Sequence, residues 1–238
     1  MNGFLYGLAL QWKLDIRSKS ILVTCYIVPI LFTLIMGGIF TSIMPEMKST
    51  LTQSMLVLSV SMGAYIGFPP ALIETYGSDI KKVYKANGVP MYSGLVTMYI
   101  SAFVHLMISS VIIMLLDYVL YEAILPNNLI EFFLGLAVYV IVSLSIGSIL
   151  GLIIKDQAKL TMISQLLFLP SIMLSGIMFP SDFLPEFFKN LGYAFPASWG
   201  YQLMLDGGFR LENLWYLSFV FVTAIIAITI LLRKQKFE

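Results

Sequence analysis

His105 is the only histidine in 238 residues. It shares a four-residue spacing with Thr97, Ser101 and Ser109, which places all four on one face of a helix. Hydroxyls and an imidazole in such a row could relay a proton or hydrogen-bond a polar group on a cargo. An ionisable residue in the middle of an apolar helix is a functional candidate by default. The same row also describes a neutral imidazole packed against neighbouring hydroxyls inside a bundle. Asp117, Glu122 and Glu131 are expected nearer one edge of the membrane, in contact with water. Cys25 is the only cysteine and lies in an apolar run, so the chain forms no internal disulfide. No Cys/His cluster has metal-ligand spacing. The patterns G-x-x-x-x-G-K-[ST], H-E-x-x-H and G-x-S-x-G do not occur, so no catalytic site and no ATP site of the chain's own is expected.

The elements that must hold these residues follow from composition. The chain is 59% hydrophobic and 11% charged, against about 25% charged in an ordinary globular domain. That is the balance of an integral membrane protein, and a net charge of +1 gives no reason to expect a nucleic-acid partner. Crossing the hydrocarbon core takes about 20 residues of helix. Six stretches qualify, near Ile21–Phe40, Leu51–Ile73, Ser93–Leu120, Leu129–Ile154, Leu160–Phe179 and Leu214–Leu232. The first has no small-residue cleavage site and is read as a retained span rather than a signal peptide. The expected fold is all-α, one membrane domain over 1–238, with no inverted repeat.

Charge orients it. Lys13, Arg17, Lys19, Lys81, Lys82, Lys85, Lys155, Lys159, Arg233, Lys234 and Lys236 fall on the side of the two termini. Only Lys48, Lys189 and Arg210 fall on the other. The positive-inside rule then puts both termini in the cytoplasm of a multi-pass plasma-membrane protein.

Four segments stand out between and before the spans. In 1–19, Phe4, Leu8 and Trp12 recur every four residues beside Leu5 and Ile16, as in an amphipathic helix lying on the inner leaflet. The loop 74–90 is charged, partly helical and stopped by Gly88 and Pro90. Lys155–Lys159 is a much shorter turn on the same side. Small residues at Ser59, Gly63 and Gly67, and at Ser143, Gly147 and Gly151, allow close helix approach, first of all within the chain. The fourth segment, Leu169–Gly208, is too apolar for a solvated loop. It is also too broken by Pro170, Pro180, Pro185 and Pro196 for one helix. It reads as the broken outer end of span five followed by a hook, 180–208, of short helices dipping back toward the membrane.

The order of these parts resembles the membrane subunit of type-2 ABC transporters, a family that includes drug and antimicrobial-peptide exporters. The most specific piece is Pro170…Leu174-Ser175-Gly176-Ile177-Met178-Phe179-Pro180 followed by Leu184-Pro185-Glu186. It is similar to the family's P…LSG…P…LP pattern. Glu74, Gly77 and Pro90 match its cytoplasmic loop, with lysines where arginines are usual. Phe195-Pro196 stands where Asn-Pro is common.

The resemblance implies a pathway formed by two permease chains, identical or sister, each carried by a separate cytoplasmic ABC ATPase that holds the ATP and Mg. No cofactor is implied on this chain. Coupling to the ATPase falls to Glu74, Gly77, Lys81, Lys82, Lys85, Gly88 and Pro90, with Lys155 and Asp156 beside them. The outer gate falls to Ser175, Gly176, Phe179, Pro180, Phe183, Phe187, Phe188 and Trp199. The aromatic members of that set are also common interfacial anchors. Thr97, Ser101, His105 and Ser109 are the candidates for the substrate pathway. The expected cargo is amphipathic or hydrophobic: a membrane-active peptide, a drug or a lipid. Two other readings stay open on the residues alone. One is an ATP-independent channel or proton-coupled carrier using His105. The other is an immunity protein that binds a toxic peptide without moving it.

Overall fold

The computed structural model describes residues 2–77, 84, 86–178 and 183–237. Among these the chain is helical, with no strand. Helix α1 (Asn2–Arg17) precedes six helices long and apolar enough to cross a membrane: α2 (Lys19–Ile43), α3 (Leu51–Tyr76), α4 (Tyr92–Tyr121), α5 (Leu129–Ile153), α6 (Gln157–Leu174) and α9 (Leu211–Phe237). Two short helices, α7 (Glu186–Gly192) and α8 (Pro196–Met204), lie between α6 and α9. Six crossings leave both termini on one side, called here the terminal side; the other is the hook side.

The expected spans match these helices to within a few residues, with α6 the exception. Pro170 sits inside α6 without ending it. The stop comes at Ser175 and Gly176, where Gly176 takes φ +82°. A left-handed residue just past the last turn is the usual helix terminator, and glycine adopts it without steric cost.

The bundle is built around α3. Every residue from Leu51 to Ser61 is buried, and α2, α4, α5, α6 and α8 all pack against this helix. Two local irregularities explain how the neighbours come so close. Proline lacks the N–H that an α-helix returns to the preceding turn. Ahead of Pro29, α2 widens into a π turn at Val23–Ile27, and ahead of Pro69, α3 widens at Gly63–Gly67. Phe68 N then donates to Gly63 O, five residues back, at 2.8 Å. The two π turns face each other: a Cβ on Gly67 would lie 2.7 Å from Thr24 Oγ1, and one on Gly63 3.5 Å from Cys25 Sγ. The small-residue row of α5 completes the contact. A Cβ on Gly147 would stand 2.1 Å from Ala64 O, and one on Gly151 2.8 Å from Pro69 O. Both rows therefore pack inside the chain, that of α3 against α2 and α4 and that of α5 against α3.

The hook side is closed by α8, whose Pro196, Ala197, Ser198, Gly200, Leu203 and Met204 are buried. A Cβ on Gly135 would lie 3.1 Å from Leu203 O, and one on Gly200 2.2 Å from the Tyr139 ring. Tyr139 is ten residues into α5, about 15 Å from its hook-side end. The short helix is thus wedged well down between the spans.

Asp117 departs from the expected contact with water. It is 0% exposed, and neither carboxyl oxygen has a hydrogen-bond partner among the described residues. It lies on the buried face of α4, in the same four-residue row as Ser101, His105, Ser109 and Ile113. Glu122 takes φ +53°, and Ala123 N returns to Asp117 O. Thr52, at the start of α3, stands beside the carboxyl. Glu122 does reach solvent, paired with Lys48 at 3.2 Å, and Glu131 accepts from Asn128 Nδ2 at 2.8 Å.

The close approach at Gly147 is testable. Gly147→Ala should destabilise the fold by about 1–3 kcal/mol through overpacking. Gly38→Ala, whose Cβ would meet Tyr121 only at 3.8 Å, should be neutral. Heating the detergent-solubilised protein with a thiol-reactive fluorophore reads this directly, because buried Cys25 is the only thiol.

Candidate functional site

The polar row on α4 is turned toward α1 and α2. Ser18 ends α1 in extended backbone, φ −76° and ψ 114°, and its side chain caps the next helix by accepting from Ile21 N. That bend lays α1 against α4. Asp15 is the buried residue among the described side chains of α1. Its carboxylate accepts from Ser101 Oγ at 2.5 Å and from Gln11 Nε2 at 2.8 Å. One turn earlier, Trp12 stacks on the His105 ring, with centroids 4.4 Å apart and planes 11° from parallel. His105 Nδ1 shares a 2.7 Å hydrogen bond with the Tyr26 hydroxyl. Ser109 Oγ donates to Cys25 O at 2.6 Å, the carbonyl from which Pro29 withholds a backbone N–H. Thr97 bonds only to its own helix, at Gly94 O.

Three of the four row residues thus hold a seam among α1, α2 and α4. His105 is 4% exposed, and its Nε2 has no partner among the described residues. The partners Trp12, Asp15 and Tyr26 could not be found from spacing, since they lie 79 to 93 residues from the row residues they meet.

On the terminal side the loop after α3 is fastened at its base by Tyr76. The Tyr76 hydroxyl donates to Met91 O at 2.6 Å and accepts from Leu95 N at 2.8 Å, so it caps the first turn of α4. Tyr84 packs on the same spot, 3.0 Å from where a Gly94 Cβ would be. Glu74, Gly77, Gly88 and Pro90 are exposed around this base. Gly77 allows no side chain without a 2.6 Å approach to Ile73 O, and Gly88 takes φ +65°. Lys81, Lys82 and Lys85 lie outside the described residues. At the neighbouring turn Lys155 is exposed, and Asp156 caps α6 by accepting from Lys159 N at 2.8 Å. Tyr76 and Tyr84 were missed in the sequence because nothing in their spacing marks a cap.

The gate candidates divide into two groups. Phe183, Phe187 and Phe188 are exposed, the first two by 74% and 72%, and the last two rings meet edge to face at 5.4 Å. Trp199 instead staples the hook. Its Nε1 donates to Tyr193 O at 2.7 Å and its ring stacks on Tyr216 of α9 at 5.1 Å. Ser175 and Gly176 are buried at the end of α6, and Ser175 Oγ donates to Ile172 O at 3.0 Å. Phe179 and Pro180 lie outside the described residues.

One surface was not anticipated. Helix α6 is the least apolar of the six spans and one of the least covered. Its uncovered face carries Thr161, Gln165, Met162, Leu166, Leu169 and Met173. Gln165 is at the middle of the helix. An amide facing lipid at that position costs several kcal/mol without a partner.

A family model described as "ABC-2 type transporter" matches residues 4–209, from α1 through the hook. No curated protein matches the chain.

The seam yields its own test. Ser101→Ala leaves the Asp15 carboxylate with Gln11 alone and should cost about 1–3 kcal/mol. In a Trp199→Phe/Trp215→Phe background, Trp12 emission should shift to the red as α1 loosens from α4. Thr97→Ala, which removes only a bond within α4, should leave the emission in place.

Proposed function

The chain belongs to the ABC-2 type transporter family, and from that membership we propose that it is the permease of an ATP-driven exporter of amphipathic or hydrophobic cargo. The family is a membrane transport component and not itself the ATPase. It implies an ABC ATPase partner and a dimeric arrangement. On this reading ATP and Mg belong to the partner, and the terminal side with its lysines and arginines faces the cytoplasm. Two copies, identical or paired with a sister chain, enclose the pathway in the plasma membrane.

The observation that carries the reading is the uncovered face of α6. A mid-helix glutamine is tolerated at membrane depth when it faces a second chain or a water-filled passage. Around it stand methionine and leucine, with no charge between Lys159 and the end of α6. Such a lining suits a membrane-active peptide, a drug or a lipid better than a polyanion, because unbranched, polarizable methionine adapts to varied apolar shapes.

The loop around Glu74, Gly77, Lys81, Lys82, Lys85, Gly88 and Pro90, with Lys155 and Asp156 next to it, is the proposed seat of the ATPase. Its base is rigid where Tyr76 ties α3 to α4, so a push on the loop acts on both helices. At the other end Ser175, Gly176, Phe179 and Pro180 lead into the proposed outer lid. There Phe183, Phe187 and Phe188 reach into the outer leaflet, and Trp199 holds the lid to α9. His105 in this scheme keeps α1 seated rather than touching cargo.

Co-expression with ABC ATPases encoded beside the gene, followed by ATPase assays against peptides, drugs and lipids, tests the proposal. An ATPase should co-purify and be stimulated by at least one amphipathic compound. Gln165→Leu should lower that stimulation on the order of tenfold while the complex still assembles, a coupling loss of ordinary size. Gly77→Trp, or Lys81→Glu with Lys82→Glu, should instead weaken assembly itself. Stimulation and assembly unchanged in all three would remove both the pathway and the docking assignments.

A further inference from the structure

A groove of about 590 Å³ runs between α1 and the terminal-side end of α4. On α1 it is lined by Gly3, Gly7, Leu10 and Leu14, and on α4 by Thr97 and Met98 among others. From Gly3 to Leu14 the floor is about 16 Å long at 1.5 Å per residue. Leu10 and Leu14 stay 47% and 55% exposed, so the described residues leave this apolar track open. Gly7 keeps it wide: a Cβ there would first meet Thr97 Cγ2 at 3.8 Å.

The exposed charge that α1 brings to the groove is of one sign. Lys13 follows Leu10 by three residues and Arg17 follows Leu14 by three, which makes each pair neighbours on the helix surface. Both basic residues are exposed, and neither forms an ion pair among the described residues. The one acid of this helix, Asp15, is folded inward onto Ser101 and Gln11. The fold has therefore separated the charges of α1, taking the carboxylate into the bundle and leaving the cations at the rim of an apolar track.

We propose that this groove is a binding site for a resident anionic phospholipid, with an acyl chain along Gly7, Leu10 and Leu14 and the phosphate against Lys13 and Arg17. Apolar burial and attraction of basic residues to an anionic headgroup act together at such a site. The proposal depends on the chain being a membrane domain and not on ATP-driven export, so it stands or falls without an ATPase assay.

The full chain, purified in mild detergent, is supplied with phosphatidylglycerol or phosphatidylcholine of matched acyl chains, and retained lipid is counted by native mass spectrometry. The wild type should retain phosphatidylglycerol roughly tenfold better, given a favourable contribution from each of two basic residues near the headgroup. Lys13→Gln with Arg17→Gln, both surface changes, should bring the ratio close to one. Gly7→Leu should reduce retention of both lipids by filling the track. Glycerol phosphate, which has the anion without the chain, should not compete. Equal retention of the two lipids by the wild type would overturn the site. So would a preference that survives the Lys13/Arg17 change, or competition by glycerol phosphate.

Discussion

Within the hydrocarbon region every backbone N–H and C=O has to find a partner inside the protein, and this chain places prolines at positions that withhold such partners. Pro29 gives no N–H to the turn before it, and Ser109 on α4 supplies a donor to Cys25 O instead. Pro69 and Pro70 follow a π turn in which Phe68 N reaches back to Gly63 O. Widened turns alone would leave gaps. Gly63 and Gly67 let α2 and α4 side chains close them, and Gly147 and Gly151 bring α5 against the same stretch. The tight centre of the bundle is thus the answer to a backbone problem, and the elements outside it are arranged around that answer.

Because α3 is the helix on which these contacts meet, both ends of the molecule touch it. On the terminal side Tyr76, its last residue, holds the loop and the first turn of α4. Toward the hook side Ser61 Oγ lies 2.6 Å from the Tyr139 hydroxyl, and the Tyr139 ring bears on Gly200 of α8. A close-packed core transmits displacement and tolerates little slack. If the loop seats the ATPase as proposed, a push there reaches the opposite end through this connection.

Legibility from sequence followed the range of the interaction. Span number, small-residue rows and the proline-broken hook are local patterns, and each is recognisable because it depends on residues a few positions apart. The fifth span is expected to run to Phe179, before Pro180, yet α6 ends at Leu174. Pro170 is carried within the helix, and the left-handed Gly176 ends it. The row Thr97, Ser101, His105 and Ser109 was visible as a row, but the direction it faces was not. Its partners sit on α1 and α2, which reach α4 only after the bend at Ser18. Tyr76 and Gln165 gave no local sign at all. One acts through a cap on a different helix, and the other matters only because its face of α6 is left uncovered.

The sequence by itself determined that six apolar helices cross a membrane, that both ends share a side, and that no ATP motif is present. These follow from hydropathy, parity and residue identity, which need no knowledge of neighbours. Only the tertiary structure decided where the polar groups go. Asp15 and His105 are drawn into the seam with α1, Asp117 is buried on the inward face of α4, and Lys13 and Arg17 are left at the rim of an open groove. The reason is that burial and pairing of a polar side chain belong to the whole bundle, and residues far apart in sequence settle them together.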